Sequence, residues 1–154
     1  MWVEPYPERE LEELARSFAS SLGSTITPEA SRELARRSRG TPRTLRGFLR
    51  AARARAQARE RAAIDLASVL EVMEVQGIDE EGLDRQEREI LRYLLEVGRP
   101  IGLKAVAAAL RMDVRTIERV HEPYLIEKRF LIRTARGRVV TDRARAHLGR
   151  PKGA

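Results

Sequence analysis

His121-Glu122-Pro123-Tyr124-Leu125-Ile126-Glu127-Lys128-Arg129-Phe130-Leu131-Ile132-Arg133-Thr134-Ala135-Arg136-Gly137-Arg138-Val139-Val140-Thr141 closes a helix and opens a small β-hairpin. Phe130, Leu131 and Ile132 form one apolar run, and Val139 with Val140 forms the other. The turn between them carries Arg133, Arg136 and Arg138. Gly137 is the residue able to take φ > 0, which places it at the tight hairpin turn. Guanidinium groups at such a tip have two readings: solubility on an ordinary solvated hairpin, or contact with an anion.

The residues upstream favour the second. Leu103, Val106, Ala107 and Leu110 recur at helical spacing, and Arg111-Met112-Asp113 makes a turn with Asp113 as N-cap. The next helix is expected to turn Val114, Ile117, Val120 and Tyr124 inward and Arg115, Glu118, Arg119 and Glu122 outward. Pro123 is expected to kink or end it, since an interior proline costs about 3 kcal/mol. Asp84 caps an earlier helix that carries Ile90, Leu91, Leu94 and Leu95 and closes at Gly98; Pro100-Ile101-Gly102 supplies a short extended segment, and a last helix runs from Asp142 to about Leu148. Two helices joined by a short turn, then a hairpin, describe a winged helix-turn-helix. Its candidate DNA-binding residues are Arg133, Arg136, Gly137 and Arg138 on the wing, with Arg115 and Arg119 on the helix before it.

The first half reads as all-α. Behind an extended lead-in with Pro5 and Pro7, Leu11, Leu14, Phe18 and Leu22 mark a helix that ends at Gly23. Thr27 caps a second helix with Pro28 at its first position, running to about Arg37. Gly40 breaks the chain, Thr41 caps, and Pro42 starts a third helix with Leu45, Phe48, Leu49 and Ala52 on one face. Arg43, Arg46, Arg50 and Arg53 make a basic stripe on the other. A fourth, from roughly Ile64 to Gln76, is expected to bury Leu66, Val69, Leu70 and Met73. The polar run Gly77 to Gly82 is the joint, which gives units at 1–79 and 80–150 and a loose tail at 151–154.

Charge sharpens this division. Residues 32–61 carry eleven arginines against Glu33 and Glu60, and residues 99–154 carry fourteen basic against five acidic groups; the stretches 1–31 and 62–98 are net acidic by four and seven charges. Two basic blocks imply two anion-facing surfaces. The absence of cysteine excludes disulfides, thiolate metal sites and cysteine nucleophiles, and fits a reducing compartment. No apolar run approaches the roughly 18 residues of a membrane span, and no signal-peptide pattern opens the chain, so no membrane partner and a cytoplasmic location are expected. His121 and His147 read as packed or helix-end residues. Asp79, Glu80, Glu81 and Asp84 read as a solvated run. No metal site or catalytic constellation is expected.

Four stretches carry a resemblance to the RuvB family of Holliday-junction branch-migration motors. They are Ala35-Arg36-Arg37-Ser38-Arg39-Gly40-Thr41-Pro42-Arg43; Gly82-Leu83-Asp84 leading into Ile90-Leu91; Glu122-Pro123-Tyr124-Leu125-Ile126; and Arg133-Thr134-Ala135-Arg136-Gly137-Arg138-Val139 with His147-Leu148-Gly149. They span nearly the whole chain in the family's order. The resemblance implies the helical lid of an AAA+ ATPase module followed by a winged-helix domain. It implies a sensor-2 role toward a nucleotide γ-phosphate for Arg43, and DNA contact for the wing arginines. For the complete family protein it implies ATP and Mg2+ as cofactors, with junction or duplex DNA, a P-loop ATPase domain or subunit, and RuvA/RuvC-type junction proteins as partners.

Three departures stand out. Ala135 replaces a usual wing proline. Arg129 replaces the glycine that ends the preceding helix, so that turn is expected to be made differently. Residues 51–61 are rich in alanine and arginine, with Arg55 near a usual lid phenylalanine. The sequence contains no Gly-x-x-x-x-Gly-Lys-Ser/Thr loop, so no ATP hydrolysis by this chain alone is expected. The expected function is the DNA-binding C-terminal portion of a branch-migration motor. Alternatives are a stand-alone winged-helix DNA-binding module and an interaction protein that docks on AAA+ subunits.

Overall fold

The structure, a computed structural model, describes residues 4–149. The tail expected at 151–154 lies outside the described residues. The chain is mainly α-helical with one two-stranded antiparallel sheet among the described residues. It forms two compact units, the first ending at Asp84 and the second beginning at Arg85.

The first unit is built from α1 (Glu8–Ser21), α2 (Pro28–Arg37), α3 (Pro42–Ala58) and α4 (Leu66–Gln76). Their starts follow local chemistry. The Thr27 hydroxyl accepts from the Ala30 N–H at 3.2 Å, and the Asp65 carboxylate accepts from the Ser68 N–H at 2.9 Å, each satisfying a donor that the helix leaves orphaned. Thr41 has N-cap backbone geometry, but its hydroxyl donates to the Arg39 carbonyl at 3.2 Å and caps nothing. Leu11, Leu34, Leu45, Leu49 and Met73 fill the core, each burial contributing about 1.5–3 kcal/mol. Past Ala52, α3 buries only Ala56, while Arg55 stays exposed. A parallel bridge, Ile26 to Ile64, ties the loop before α2 to the loop before α4. Gly40 packs so tightly on the lead-in that a Cβ there would sit 2.3 Å from Pro5 Cβ, and its carbonyl accepts the Tyr6 N–H at 2.9 Å.

Helix α4 departs from the periodicity reading. It buries Ser68, Val69, Val72 and Met73, while Leu66 and Leu70 are exposed. The segment Leu-Ala-Ser-Val-Leu-Glu-Val-Met-Glu-Val-Gln is apolar on several sides, so spacing alone does not choose the face. The joint is also more ordered than a solvated run. Asp79 accepts the N–H groups of Glu81 and Leu83 at 3.0 and 2.9 Å, closing the loop on itself.

The second unit contains α5 (Arg85–Val97), α6 (Leu103–Leu110), α7 (Val114–Thr116), a π-helical turn (Ile117–His121), α8 (Glu122–Glu127), β1 (Leu131–Thr134), β2 (Gly137–Val140) and α9 (Asp142–Leu148). Helix α5 packs on α6, β2 and α9, and buries Ile90, Leu91 and Leu94. The Asp113 carboxylate caps α7 by accepting from Thr116 N–H at 2.9 Å. The backbone and hydroxyl hydrogen bonds of Thr116 hold that carboxyl below its ordinary value.

Pro123 does not end the helix. Backbone αR geometry continues from α7 through the π turn into α8, with Pro123 near the start of α8. Proline cannot donate to the carbonyl four residues back and its ring clashes with that carbonyl; the wider turn, in which Glu122 N–H bonds to Ile117 O, accommodates it. The wider turn shifts the pattern by one residue. Val120, expected inward, is 57% exposed, and Glu122, expected outward, is buried together with its neighbour His121.

Candidate nucleic-acid interface

Strands β1 and β2 pair as Leu131 with Val140, Ile132 with Val139, Arg133 with Arg138 and Thr134 with Gly137. Ala135 and Arg136 therefore form the tip, both with φ outside the positive region. Gly137 is not a central turn residue as expected. It starts β2 at φ +130°, and a Cβ there would lie 2.4 Å from the Ile101 carbonyl carbon. The close approach is a third strand position: Arg138 N–H donates to Ile101 O at 2.7 Å, and Ile101 N–H to Arg138 O at 3.1 Å. The extended segment read at Pro100-Ile101-Gly102 is thereby part of the wing. Glycine here meets two needs at once, a positive φ and a close backbone contact.

The turn entering the wing is made in the usual left-handed way, contrary to expectation. Arg129 takes φ +60°, the Phe130 N–H bonds to Leu125 O at 2.8 Å, and the Arg129 N–H to Ile126 O at 3.0 Å. These are the two bonds of a Schellman cap, with arginine in the glycine position.

The wing arginines are not equivalent. Arg133 and Arg138, directly opposite each other, both turn to Glu122. Arg133 donates from Nε at 3.1 Å and Nη2 at 2.6 Å to Oε2. Arg138 donates from Nε at 2.6 Å to Oε1 and from Nη2 at 3.3 Å to Oε2. The Glu122 side chain is 1% exposed, against 49% for Arg133 and 19% for Arg138. Arg136 is exposed at the tip and makes no ion pair among the described residues; its backbone N–H donates to the Thr134 hydroxyl at 3.2 Å. Arg115 and Arg119 are exposed on α7 and the π turn, likewise without an ion pair among the described residues. Sequence reasoning missed Glu122, whose signal was the pair of like charges that the hairpin register sets side by side.

His121 is buried, its Nδ1 3.3 Å from Glu87 Oε1 and its Nε2 3.2 Å from Gln86 Oε1. His147 lies against Phe130, ring centroids 5.6 Å apart. In the first unit, Arg43 is exposed at the start of α3 with no ion pair among the described residues. The rest of its stripe is engaged: Arg46 and Arg50 lie over the Phe18 ring at 5.4 and 5.2 Å, and Arg53 donates to the Ser24 hydroxyl at 2.8 Å.

Residues 6–79 match the family model described as the RuvB AAA lid domain, and residues 80–149 match that of the RuvB C-terminal winged helix domain. Among curated relatives, the Holliday junction branch migration complex subunit RuvB of Lactobacillus gasseri is 42% identical over 148 residues, covering 95% of this chain and 44% of that protein. The same subunit of Chloroflexus aggregans is 45% identical, over 95% of this chain and 42% of that protein. The chain thus spans somewhat under half the length of these relatives. Among solved structures, the Thermotoga maritima RuvB Holliday junction branch migration motor superposes with a TM-score of 0.89 at 38% identity, over 97% of this chain and 51% of that one.

Proposed function

The chain belongs to the RuvB family, of which it carries the lid and the winged-helix domain, and from that premise we propose that it is the DNA-contacting portion of a Holliday-junction branch-migration motor. The observation that carries this reading is Arg136, exposed at the tip of a wing fixed on both strands and without an ion pair among the described residues. A guanidinium held there meets backbone phosphates without reading bases, so the contact positions the protein and carries little sequence information. Arg115 and Arg119 add two further exposed charges on the preceding helix. In this reading the protein works in the cytoplasm with a P-loop ATPase domain or subunit and RuvA/RuvC-type junction proteins. No helix among the described residues is long and apolar enough to cross a membrane.

The family implies a nucleotide and Mg2+. The sequence contains no glycine-rich phosphate loop, and Arg43 offers one exposed guanidinium without an ion pair among the described residues. The wing's contact with phosphate needs no step through ATP. The sensor role of Arg43 is proposed only against a phosphate site supplied by another domain or subunit.

The test is a salt titration of binding to a four-way junction and to linear duplex. Arg136→Ala is expected to lower the slope of log K against log salt by about 0.9, and Arg115→Ala/Arg119→Ala by about 1.8, on both DNAs. Slopes equal to that of the unaltered chain overturn the reading. A lid that docks on ATPase subunits is the second reading, favoured by Leu66 and Leu70 standing exposed one turn apart on α4. Co-elution with a P-loop subunit, abolished by Leu70→Glu in a chain that still folds, would support it.

A further inference from the structure

We propose that the outer edge of β1 is a docking site for an extended, acidic peptide segment of a partner protein, which adds to the wing's sheet as a further strand. The proposal stands apart from the DNA reading: it concerns the open edge of the hairpin and the groove beside it, whatever the wing arginines contact.

The ladder leaves this edge open. Strand β2 has β1 on one side and Ile101 on the other, whereas β1 has no second neighbour among the described residues. The bonds at the two ends of the hairpin decide which groups face outward. Arg138 exchanges its N–H and C=O with Ile101, so neither is turned to β1. Thr141 N–H donates to Phe130 O at 3.1 Å, which makes that pair a bonded one. Bonded and non-bonded pairs alternate along an antiparallel ladder. Ile132 is therefore bonded to Val139, while Leu131 and Arg133 turn their N–H and C=O groups to the open edge. Two residues apart, they offer the donors and acceptors that an incoming strand needs.

The side chains beside the edge select the occupant. Ile126, Leu131 and Ile132 line a groove of about 820 Å³, and Ile132 is 52% exposed. Successive side chains point to opposite faces, so Ile132 and its partner Val139 stand on the face opposite Arg133 and Arg138. An apolar side chain of the added strand covers Ile132. Arg129 and Arg143, both exposed, stand at the rim. The acidic group of the lining, Asp142, is turned to Arg145 at 2.7 Å. An apolar floor, a cationic rim and an open strand edge together match an extended segment that alternates apolar and acidic residues. A second copy of the chain fits less well, because pairing β1 with β1 brings the arginines of both strands together. A single-stranded nucleic acid meets the arginines but leaves the outward N–H and C=O groups without a ladder.

The experiment titrates the full chain with a fluorescein-labelled peptide of about eight residues that alternates valine and glutamate. Its control is the same peptide methylated on its central backbone nitrogens, which keeps sequence and charge and removes the ladder donors. The unmodified peptide is expected to bind at least about tenfold more tightly by fluorescence anisotropy. In hydrogen exchange followed by NMR, the Leu131 and Arg133 amides are expected to gain protection while those of Ile132 and Val139 keep theirs. Ile132→Thr keeps a β-branched side chain on the strand and is expected to weaken the peptide about threefold or more. Arg129→Gly keeps the left-handed turn and is expected to weaken it about twofold, with thermal unfolding confirming the fold of both variants. Absence of peptide binding, equal affinity for the two peptides, or protection that does not reach Leu131 and Arg133 overturns the proposal. So does dimerisation in sedimentation that Ile132→Thr abolishes, which assigns the edge to a second copy. Displacement of the peptide by oligothymidylate, with Ile132→Thr weakening both, assigns the groove to single-stranded nucleic acid and overturns it equally.

Discussion

Arg129 occupies the left-handed position after α8 at φ +60°, where a side chain with a Cβ costs about 1–2 kcal/mol relative to glycine. Its backbone bonds are those a glycine would make, so Arg129→Gly is expected to stabilise the chain by about 1 kcal/mol and raise its melting temperature by several degrees, measured by calorimetry. An unchanged or lower melting temperature would contradict this. The sequence showed that glycine was missing there, but not that the same turn would be made at a cost, because helix termination is set by the packing of Phe130 and Leu125 as well as by the residue between them. Glu33 makes a second single-residue prediction. Burial pushes its carboxyl up, but hydrogen bonds from Arg36 and Arg37 and their charges outweigh this and hold it below the ordinary value. Arg37, itself buried, also donates to Ile78 O at 3.2 Å and so ties α2 to the segment after α4. A depressed carboxyl stabilises the fold fully above its unfolded value near 4.5 and loses that contribution as pH falls through its folded value. Stability in urea should therefore decline on acidification below about pH 4.5, and Glu33→Gln should make that decline shallower while lowering stability at neutral pH. An unaltered acid profile in the variant would contradict the assignment.

Most of the elements were legible because their signals are local. Thr27-Pro28, Asp113 and the apolar spacings of α1, α3 and α5 each determine a start, a cap or a face within a few residues. Where the reading failed, a cause from outside the window intervened. The face of α4 is chosen by its neighbours, and the helix before the wing changes register at a π turn. Val114, Ile117, Val120 and Tyr124 fit one apolar stripe on paper, yet one inserted residue sends Val120 to solvent and Glu122 to the root of the wing. The same applies to Gly137, whose place was read from turn chemistry and whose need also comes from Ile101, thirty-six residues away in the chain. Gly137→Ala should accordingly destabilise the second unit by about 3 kcal/mol, since the clash is with backbone and the φ suits no L side chain. A shift of only a few tenths of a kcal/mol in denaturant unfolding would show that the Ile101 approach is not tight.

At the scale of the whole molecule, the order of the two units and the family were both legible, because the stretches that carry them run through the chain in sequence. The charge blocks were less informative than they looked. Much of the arginine block at 32–61 is engaged within the first unit: Arg37 with Glu33 and Ile78, Arg53 with Ser24, and Arg61 with Ser68 and Glu71. The second block is divided in the same way, Arg133 and Arg138 facing inward to Glu122 and Arg136 facing out. Net charge thus does not tell which arginines remain available to an anion: Arg136, Arg115 and Arg119 are exposed without an ion pair among the described residues, and so is Arg43 in the first unit. The most direct test uses the absence of cysteine from the chain: Ala135→Cys, at the exposed wing tip, gives a unique thiol for a photoactivatable crosslinker, with exposed Ser17→Cys on α1 as the comparison. With each labelled chain bound to a four-way junction, the account predicts crosslinks to DNA from position 135 and none from position 17. Bound chains that crosslink only from position 17, or not at all from position 135, would contradict it.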